Sequence, residues 1–370
     1  MKVGVLTFHR ASNFGTALQA CATVEALKNI GVDAELMDYR PAYLEHTMVP
    51  RTFRKARNPK AILSIALHRV LYGHQQEEKI LRFRQFLQEV PTSEAVCTTP
   101  AEVAELAQRY DIILSGSDQL WNERITGEDL TYLFPFPHRK KISYASSFGV
   151  SSLSEERKGV IAPLLADFDH LAMREETARK LVSELIEGKE LHRVVDPTLL
   201  LTKEQWQKFE QPNLKLPKGG YILTYFMIET PILREIANRL QKQTGLPVVN
   251  IKPSKRQALL HLGTNMMWAG PRELLSCYRG ASYVITNSFH GTAFSINYEV
   301  PMYVAPLPVS MAGEVNSRLV EILEWYGLSD RWIPTEEAAH AVTAGALPAD
   351  LPQMKKQRTE ESLAILKAML

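Results

Sequence analysis

Residues Val3–Tyr39, VGVLTFHRASNFGTALQACATVEALKNIGVDAELMDY, decide the fold. Val3–Phe8 is a short apolar run closed by His9 and Arg10, the pattern of a buried strand. Asn13, Phe14 and Gly15 form a loop, after which Leu18, Cys21, Val24 and Leu27 share one helical face until Gly31 stops the helix. Ala34–Tyr39 is a second strand. Strand, helix and strand in this order make a βαβ unit, hence a parallel sheet whose ligands bind at the carboxyl ends of its strands.

The same alternation continues outward. Arg51 to about Gln88 reads as a basic, helical insertion, with Arg51, Arg54, Lys55, Arg57 and Lys60 unrelieved by any acid. Short apolar strands follow at Asp111–Leu114 and Ile142–Ala145, and Val194–Val195 ends a further unit before Asp196 and Pro197. Gln211–Gly220, with Pro212, Pro217, Gly219 and Gly220, is the linker candidate. Beyond it a fresh series runs through strand Tyr221–Phe226, helix Pro231–Thr244, strand Pro247–Ile251, helix Arg272–Arg279, strand Tyr283–Thr286 and helix Gly291–Tyr298. The expected fold class is α/β, with two Rossmann-like doubly wound domains facing across a cleft, the GT-B-like arrangement. We assign residues 1–210 and 220–345 to the two domains and 351–370 to a closing helix, read from about Gln353 to Met369, that can pack across either.

Composition narrows the function classes. The chain has 370 residues, enough for two cores, and its hydrophobic (45%) and charged (23%) fractions are those of a globular protein. Forty-three basic against 41 acidic residues leave a net charge of +2, too little for a whole-protein field that recruits nucleic acid, so any anion site is local. Cys21, Cys97 and Cys277 are odd in number and widely spaced, which excludes a disulfide framework and paired-cysteine metal motifs and fits a reducing cytoplasm. The apolar opening is too short to span a membrane. A glycine-rich dinucleotide fingerprint, a P-loop and a paired-histidine metalloprotease helix are all missing, so we expect no cofactor and no metal. Asp167, Phe168 and Asp169 make a DxD triplet, more simply two polar residues around a buried phenylalanine than a metal–diphosphate ligand.

The most informative segment is Thr286, Asn287, Ser288, Phe289, His290, Gly291 and Thr292. It puts His290 where a strand gives way to a helix, at the carboxyl edge of the sheet and beside free backbone N–H groups that favour an anion. A histidine there can serve as a general acid or base near neutral pH.

The string TNSFHGTAFSINYEVP, residues 286–301, resembles the signature of the polysaccharide pyruvyl transferase family. Further blocks resemble the same family in the same order: GVLTFHRASNFGTALQA (4–20), GSDQLWN (116–122), YASSFG (144–149), MREE (173–176), VDPTLLL (195–201) and NSRLVEILEWYGLSDR (316–331). The resemblance implies transfer of an enolpyruvyl group from phosphoenolpyruvate to a sugar of a cell-surface polysaccharide precursor, closing a pyruvate ketal with release of phosphate. It implies His290 as acid/base and Arg174 as an anion ligand. Members of one branch carry an arginine two positions before the histidine, where this chain has Ser288; a hydroxyl offers hydrogen bonds but no charge. Lys252, Lys255, Arg256 or Arg318 could supply the missing cation.

Other candidates have two readings. Arg174, followed by Glu175 and Glu176, is an anion ligand or an ion-paired helix start. Lys252, Lys255 and Arg256 are ligands or a solvated loop, and Arg318 a ligand or a helix brace. Asn287 joins Ser288 as a substrate-binding candidate. Asn13 and Gly15 form a plain turn or let a ligand approach the backbone. Ser117, Asp118 and Gln119 beside Trp121 grip a sugar, or Asp118 caps a helix while Trp121 is core. Asp196 and Pro197 shape a strand exit. The basic stretch 51–60 is a solvated face or a peripheral contact with an anionic membrane. The expected partners are phosphoenolpyruvate as donor and a glycan or lipid-linked sugar as acceptor, with no nucleic acid, in the cytoplasm or at the inner membrane face. The rival functions are a nucleotide-sugar glycosyltransferase on the same scaffold and a non-catalytic sugar-binding relative.

Overall fold

The computed structural model describes residues 1–49, 59–308 and 316–370, and the side chains of all of these except 59–71. The basic residues Arg51, Arg54, Lys55 and Arg57, and the side chain of Lys60, lie outside the described part, so the membrane-contact reading of 51–60 does too.

Among the described residues the strands form two all-parallel sheets. The first contains β1 (Lys2–Leu6), β2 (Asp33–Tyr39), β3 (Thr92–Cys97), β4 (Ile112–Ser115), β5 (Lys141–Ser146), β6 (His170–Met173) and β7 (Leu191–Arg193), in the order β3-β2-β1-β4-β5-β6-β7. The second contains β8 (Ile222–Tyr225), β9 (Val248–Asn250), β10 (Thr264–Asn265), β11 (Tyr283–Thr286) and β12 (Met302–Val304), in the order β10-β9-β8-β11-β12. The strand order reverses between β1 and β4 in one sheet and between β8 and β11 in the other. Each reversal opens a crevice at the carboxyl ends of the strands, and such crevices are where α/β sheets bind ligands.

Parallel neighbours need a crossover, usually a helix. Phe14–Asn29 supplies it between β1 and β2, with its amino terminus capped by Asn13, whose side chain accepts from the Gly15 N–H. The helix is buried on nearly every side, because the first sheet lies on one face and elements of the second domain on the other; Phe14 meets Tyr225 edge-on at 5.6 Å. The stretch read as a basic insertion is the crossover from β2 to the neighbouring β3, a helix over Pro59–Gln88. Its second half binds the far domain through Arg82, which pairs with the buried Glu273 and whose guanidinium lies 4.5 Å from the Trp268 ring.

The domains share one continuous apolar core that runs from β1 through the Phe14–Asn29 helix to β8, β11 and the helix Phe289–Tyr298. Each fully buried large apolar side chain in it contributes roughly 1.5–3 kcal/mol relative to exposure. The final helix, Leu351–Met369, returns across the first domain: Ser362 Oγ accepts from the Val195 N–H at 3.0 Å and Thr359 donates to the Leu199 carbonyl. Lys355 ties the same helix to the second domain through the Asn297 carbonyl and Glu299.

Candidate active site

His290 belongs to the first turn of the helix Phe289–Tyr298, which starts two residues earlier than the sequence pattern indicates. Ser288 is its N-cap and accepts from the Gly291 N–H at 3.3 Å, one of the donors a helix start leaves unpaired. The histidine thus leaves β11 at its carboxyl end and projects toward the loop after β1. Its ring rests on the backbone of Gly15: a Cβ at that position would lie 2.0 Å from Nδ1. Only 7% of His290 is exposed, and Nε2 has no hydrogen-bond partner.

Across from it, β6 ends in Arg174, 3% exposed. Arg174 Nε donates to Glu175 at 2.7 Å and Nη1 to Asp196 at 3.2 Å, while Nη2 is buried without a partner. The guanidinium lies 4.0 Å from the centre of the Phe289 ring, a cation–π contact between the domains. Burial disfavours the charge on Arg174, but Glu175, Asp196 and Asp118 together outweigh it and keep the group protonated.

Asp196 joins the two. Its Oδ2 accepts from Arg174 and from Ser117 Oγ at 2.9 Å, and faces His290 Nε2 at 3.6 Å; its Oδ1 accepts from the N–H and hydroxyl of Thr198. Burial alone would raise this carboxyl, but His290, Arg174 and Thr198 hold it well below the usual carboxylate range. An ionised, fully buried carboxylate therefore orients the imidazole and the guanidinium at once. The reading of Asp196 and Pro197 as a mere strand exit is corrected accordingly: the Asp–Pro turn aims a charge into the cleft.

Arg318, in the helix Ser317–Trp325, lines the same narrow cavity as Arg174, Glu175, Asp196 and Phe289. Its Nε has no hydrogen-bond partner among the described residues, and burial, then the neighbouring Arg174, pushes the group down to about 10. From the same helix Glu321 accepts from the Glu176 N–H at 2.7 Å, holding the Arg174 loop against the second domain. Arg174 and Arg318 thus line one cavity, and His290 faces the same Asp196 that pairs with Arg174. Behind Ser288 stands Tyr225, whose phenol burial pushes up to about 12.

The remaining candidates separate. Asp118, held at a φ of +82°, accepts from Thr16 Oγ1 at 3.0 Å and from the Gln119 N–H, so it braces the helix that carries Gly15 and caps no helix itself. Ser117 is committed to Asp196. Gln119 accepts from Asn122 and packs on Gly149. Trp121 is core, 1% exposed between Phe148 and Phe168, which removes the sugar-gripping reading for that ring. Asn287 binds the Met227 N–H and the Ile228 carbonyl, fixing the loop after β8 with both ends of its amide. Asn13 is exposed at the cleft as the helix cap. Lys252 lines a second, larger cavity, where Arg256 pairs with Glu229 and Lys255 is exposed. Asp167 pairs with Lys141 and Asp169 accepts from the Lys141 N–H, at the amino ends of β5 and β6 and so at the edge away from the cleft. No cluster of three metal-ligating side chains occurs among the described residues. Sequence reasoning missed Asp196 and Thr16 as parts of the site, whereas the ion-paired reading of Arg174 with Glu175 is met at 2.7 Å; an aspartate directly after a strand and before a proline was the available signal for the first.

Two parallel α/β sheets in two domains, with His290 from one and Arg174 from the other meeting over the buried Asp196, form the GT-B-like arrangement. Among solved structures the chain is similar to UDP-GlcNAc 2-epimerase from Methanocaldococcus jannaschii, with 11% identity, all of both chains covered and a TM-score of 0.56. It is also similar to the Neisseria meningitidis UDP-GlcNAc 2-epimerase bound to UDP-GlcNAc, with 9% identity, 100% of this chain and 99% of that one covered, and a TM-score of 0.53. At such identities the likeness establishes the fold alone. No curated protein matches the chain. The family model for polysaccharide pyruvyl transferase matches residues 13–305, and the chain belongs to that family.

Proposed function

We propose that the protein transfers the enolpyruvyl group of phosphoenolpyruvate onto two hydroxyls of a sugar in a cell-surface polysaccharide precursor, forming a pyruvate ketal. The observation that carries this reading is the pair of buried atoms on either side of Asp196, Arg174 Nη2 and His290 Nε2, which make no hydrogen bond among the described residues, His290 Nε2 lying 3.6 Å from the Asp196 carboxylate. An unmet buried donor costs roughly 1–3 kcal/mol, so an anion that accepts from Arg174 Nη2 is favoured there. Phosphoenolpyruvate is a small anion with a phosphate and a carboxylate, and Arg174 and Arg318 supply the fixed cations it needs.

In this reading His290 delivers a proton to the vinyl CH2 as a sugar oxygen bonds to the adjacent carbon. The bond from that carbon to the phosphate oxygen then breaks, with its electron pair leaving on phosphate. A second sugar oxygen bonds to the same carbon and closes the ketal. Of the two hydroxyl protons, one restores His290 and the other leaves on phosphate, so the reaction is balanced with no redox cofactor. Asp196 keeps the imidazole edge and the guanidinium in register throughout, the positioning on which the rate depends.

The proposed acceptor is a glycan or lipid-linked sugar, met in the cytoplasm. No helix among the described residues is long and apolar enough to cross a membrane. The test is incubation with phosphoenolpyruvate and a panel of lipid-linked and nucleotide-linked sugars, reading phosphate release and product mass together. Coupled release and pyruvylation are expected. Stabilisation by uridine or guanosine diphosphate sugars with no response to phosphoenolpyruvate points instead to glycosyl transfer.

A further inference from the structure

Beside the His290 site, between the domains, lies a cavity of about 740 Å³, within the usual size range of small-molecule sites. One wall is Ser12, adjacent to Asn13 of the helix cap, and the crossover helix with Lys79; the other is the loop after β8, which Asn287 anchors, and Lys252 after β9. The cavity is thus bounded by Ser12 and Phe226, chain neighbours of the helix cap Asn13 and of Tyr225.

Its charge is unbalanced. Lys79 lies over the rings of Phe14 and Phe83, at 4.9 and 5.6 Å, and makes no ion pair among the described residues. Among the described residues Lys252 Nζ donates only to the Met227 carbonyl, at 3.5 Å. The acidic group in the lining, Glu229, is taken by Ser254 at 2.6 Å and by Arg256. Burial and then the charge of Lys252 push Lys79 down to about 8. Phe226, Ile251 and Met267 supply apolar surface beside them.

We propose that this cavity is a second anion subsite, in which Lys79 from one domain and Lys252 from the other clamp the phosphate or diphosphate through which the acceptor sugar is carried. Assigning the anion to the acceptor rests on the ketal-transfer reading; the anion subsite itself does not. A ligand held by both lysines would also tie the domains together across the reacting centre.

Calorimetric titration of the intact protein with inorganic pyrophosphate, and separately with phosphoenolpyruvate, tests the proposal. Lys79→Met and Lys252→Met are each expected to weaken pyrophosphate binding about tenfold or more, and Lys→Arg at the same positions to restore it. Phosphoenolpyruvate affinity is expected to stay within about twofold of the unmodified protein, since Arg174 and Arg318 hold it. Parallel titrations with uridine diphosphate and a short prenyl diphosphate separate a nucleotide-linked from a lipid-linked carrier by which one gains over pyrophosphate. Undiminished pyrophosphate binding in the double Met variant overturns the proposal, as does an equal loss of phosphoenolpyruvate binding, which makes the cavity the donor's. Lysine-dependent pyrophosphate binding in a protein that ignores phosphoenolpyruvate leaves the subsite standing and defeats the donor assignment alone.

Discussion

The imidazole of His290 packs directly on Gly15, with room for no atom at the Cβ position: a methyl there would fall 2.0 Å from Nδ1 and 2.4 Å from Cγ. Gly15 is thus glycine for space, and the contact fixes the ring of one domain against the first helix of the other. Gly15→Ala is expected to lower kcat by about a hundredfold or more, because displacing the ring by an ångström spoils proton delivery. Helix content should hold, since alanine is the better helix former. Steady-state kinetics beside circular dichroism checks this.

Asp196 gives a pH dependence whose sign follows from its depressed pKa. The folded state holds this carboxyl ionised to lower pH than the unfolded chain does. Its stabilising contribution is therefore complete above about pH 4, the unfolded value, and is lost as pH falls below it. Urea unfolding between pH 3 and 7 should show a steeper acid loss in the unmodified protein than in Asp196→Asn. The variant is also expected to be less stable at pH 7, because Arg174 loses its buried counter-charge.

Arg174 and Arg318 are expected to differ from a general positive field in their demand for guanidinium geometry. Arg174→Lys keeps the charge but cannot reach Glu175, Asp196 and a donor anion together, so KM for phosphoenolpyruvate should rise by about tenfold or more. Arg318→Met should raise the same KM with little loss of stability, since its Nε satisfies nothing in the fold. Kinetics at varied phosphoenolpyruvate, with melting temperatures, reads both.

Ser288 caps the helix that carries His290, its side chain accepting from the Gly291 N–H. Ser288→Ala should destabilise the protein by about 1 kcal/mol, the usual worth of an N-cap, measured by denaturant unfolding.

Much of this was legible in the sequence, and the rest was hidden for identifiable reasons. Val3–Tyr39 announced a parallel sheet because strand and helix periods alternate cleanly there, and the strand-to-helix step at Thr286–Gly291 placed His290 at a sheet edge. The two-residue β10 leaves no periodic trace. The helix Pro59–Gln88 passed for an insertion because the basic run before it masks the buried apolar residues Phe83 and Phe86, which pack on Phe14 and Phe209. Trp121 was ambiguous since aromatic residues beside polar ones look alike whether they grip a ligand or fill a core; only Phe148 and Phe168, distant in sequence, decide it. Asp196 reads as turn chemistry until Arg174 and His290, from separate elements, are brought to it.

The central claim is that His290 protonates the enol ester while the arginines hold it. The most direct measurement is a single-turnover assay of the unmodified protein and His290→Gln with phosphoenolpyruvate and an acceptor, following phosphate and pyruvylated sugar together. The account predicts equimolar phosphate and ketal from the unmodified protein, and from the variant bound phosphoenolpyruvate with neither product. Ketal formation by His290→Gln at the unmodified rate would contradict it.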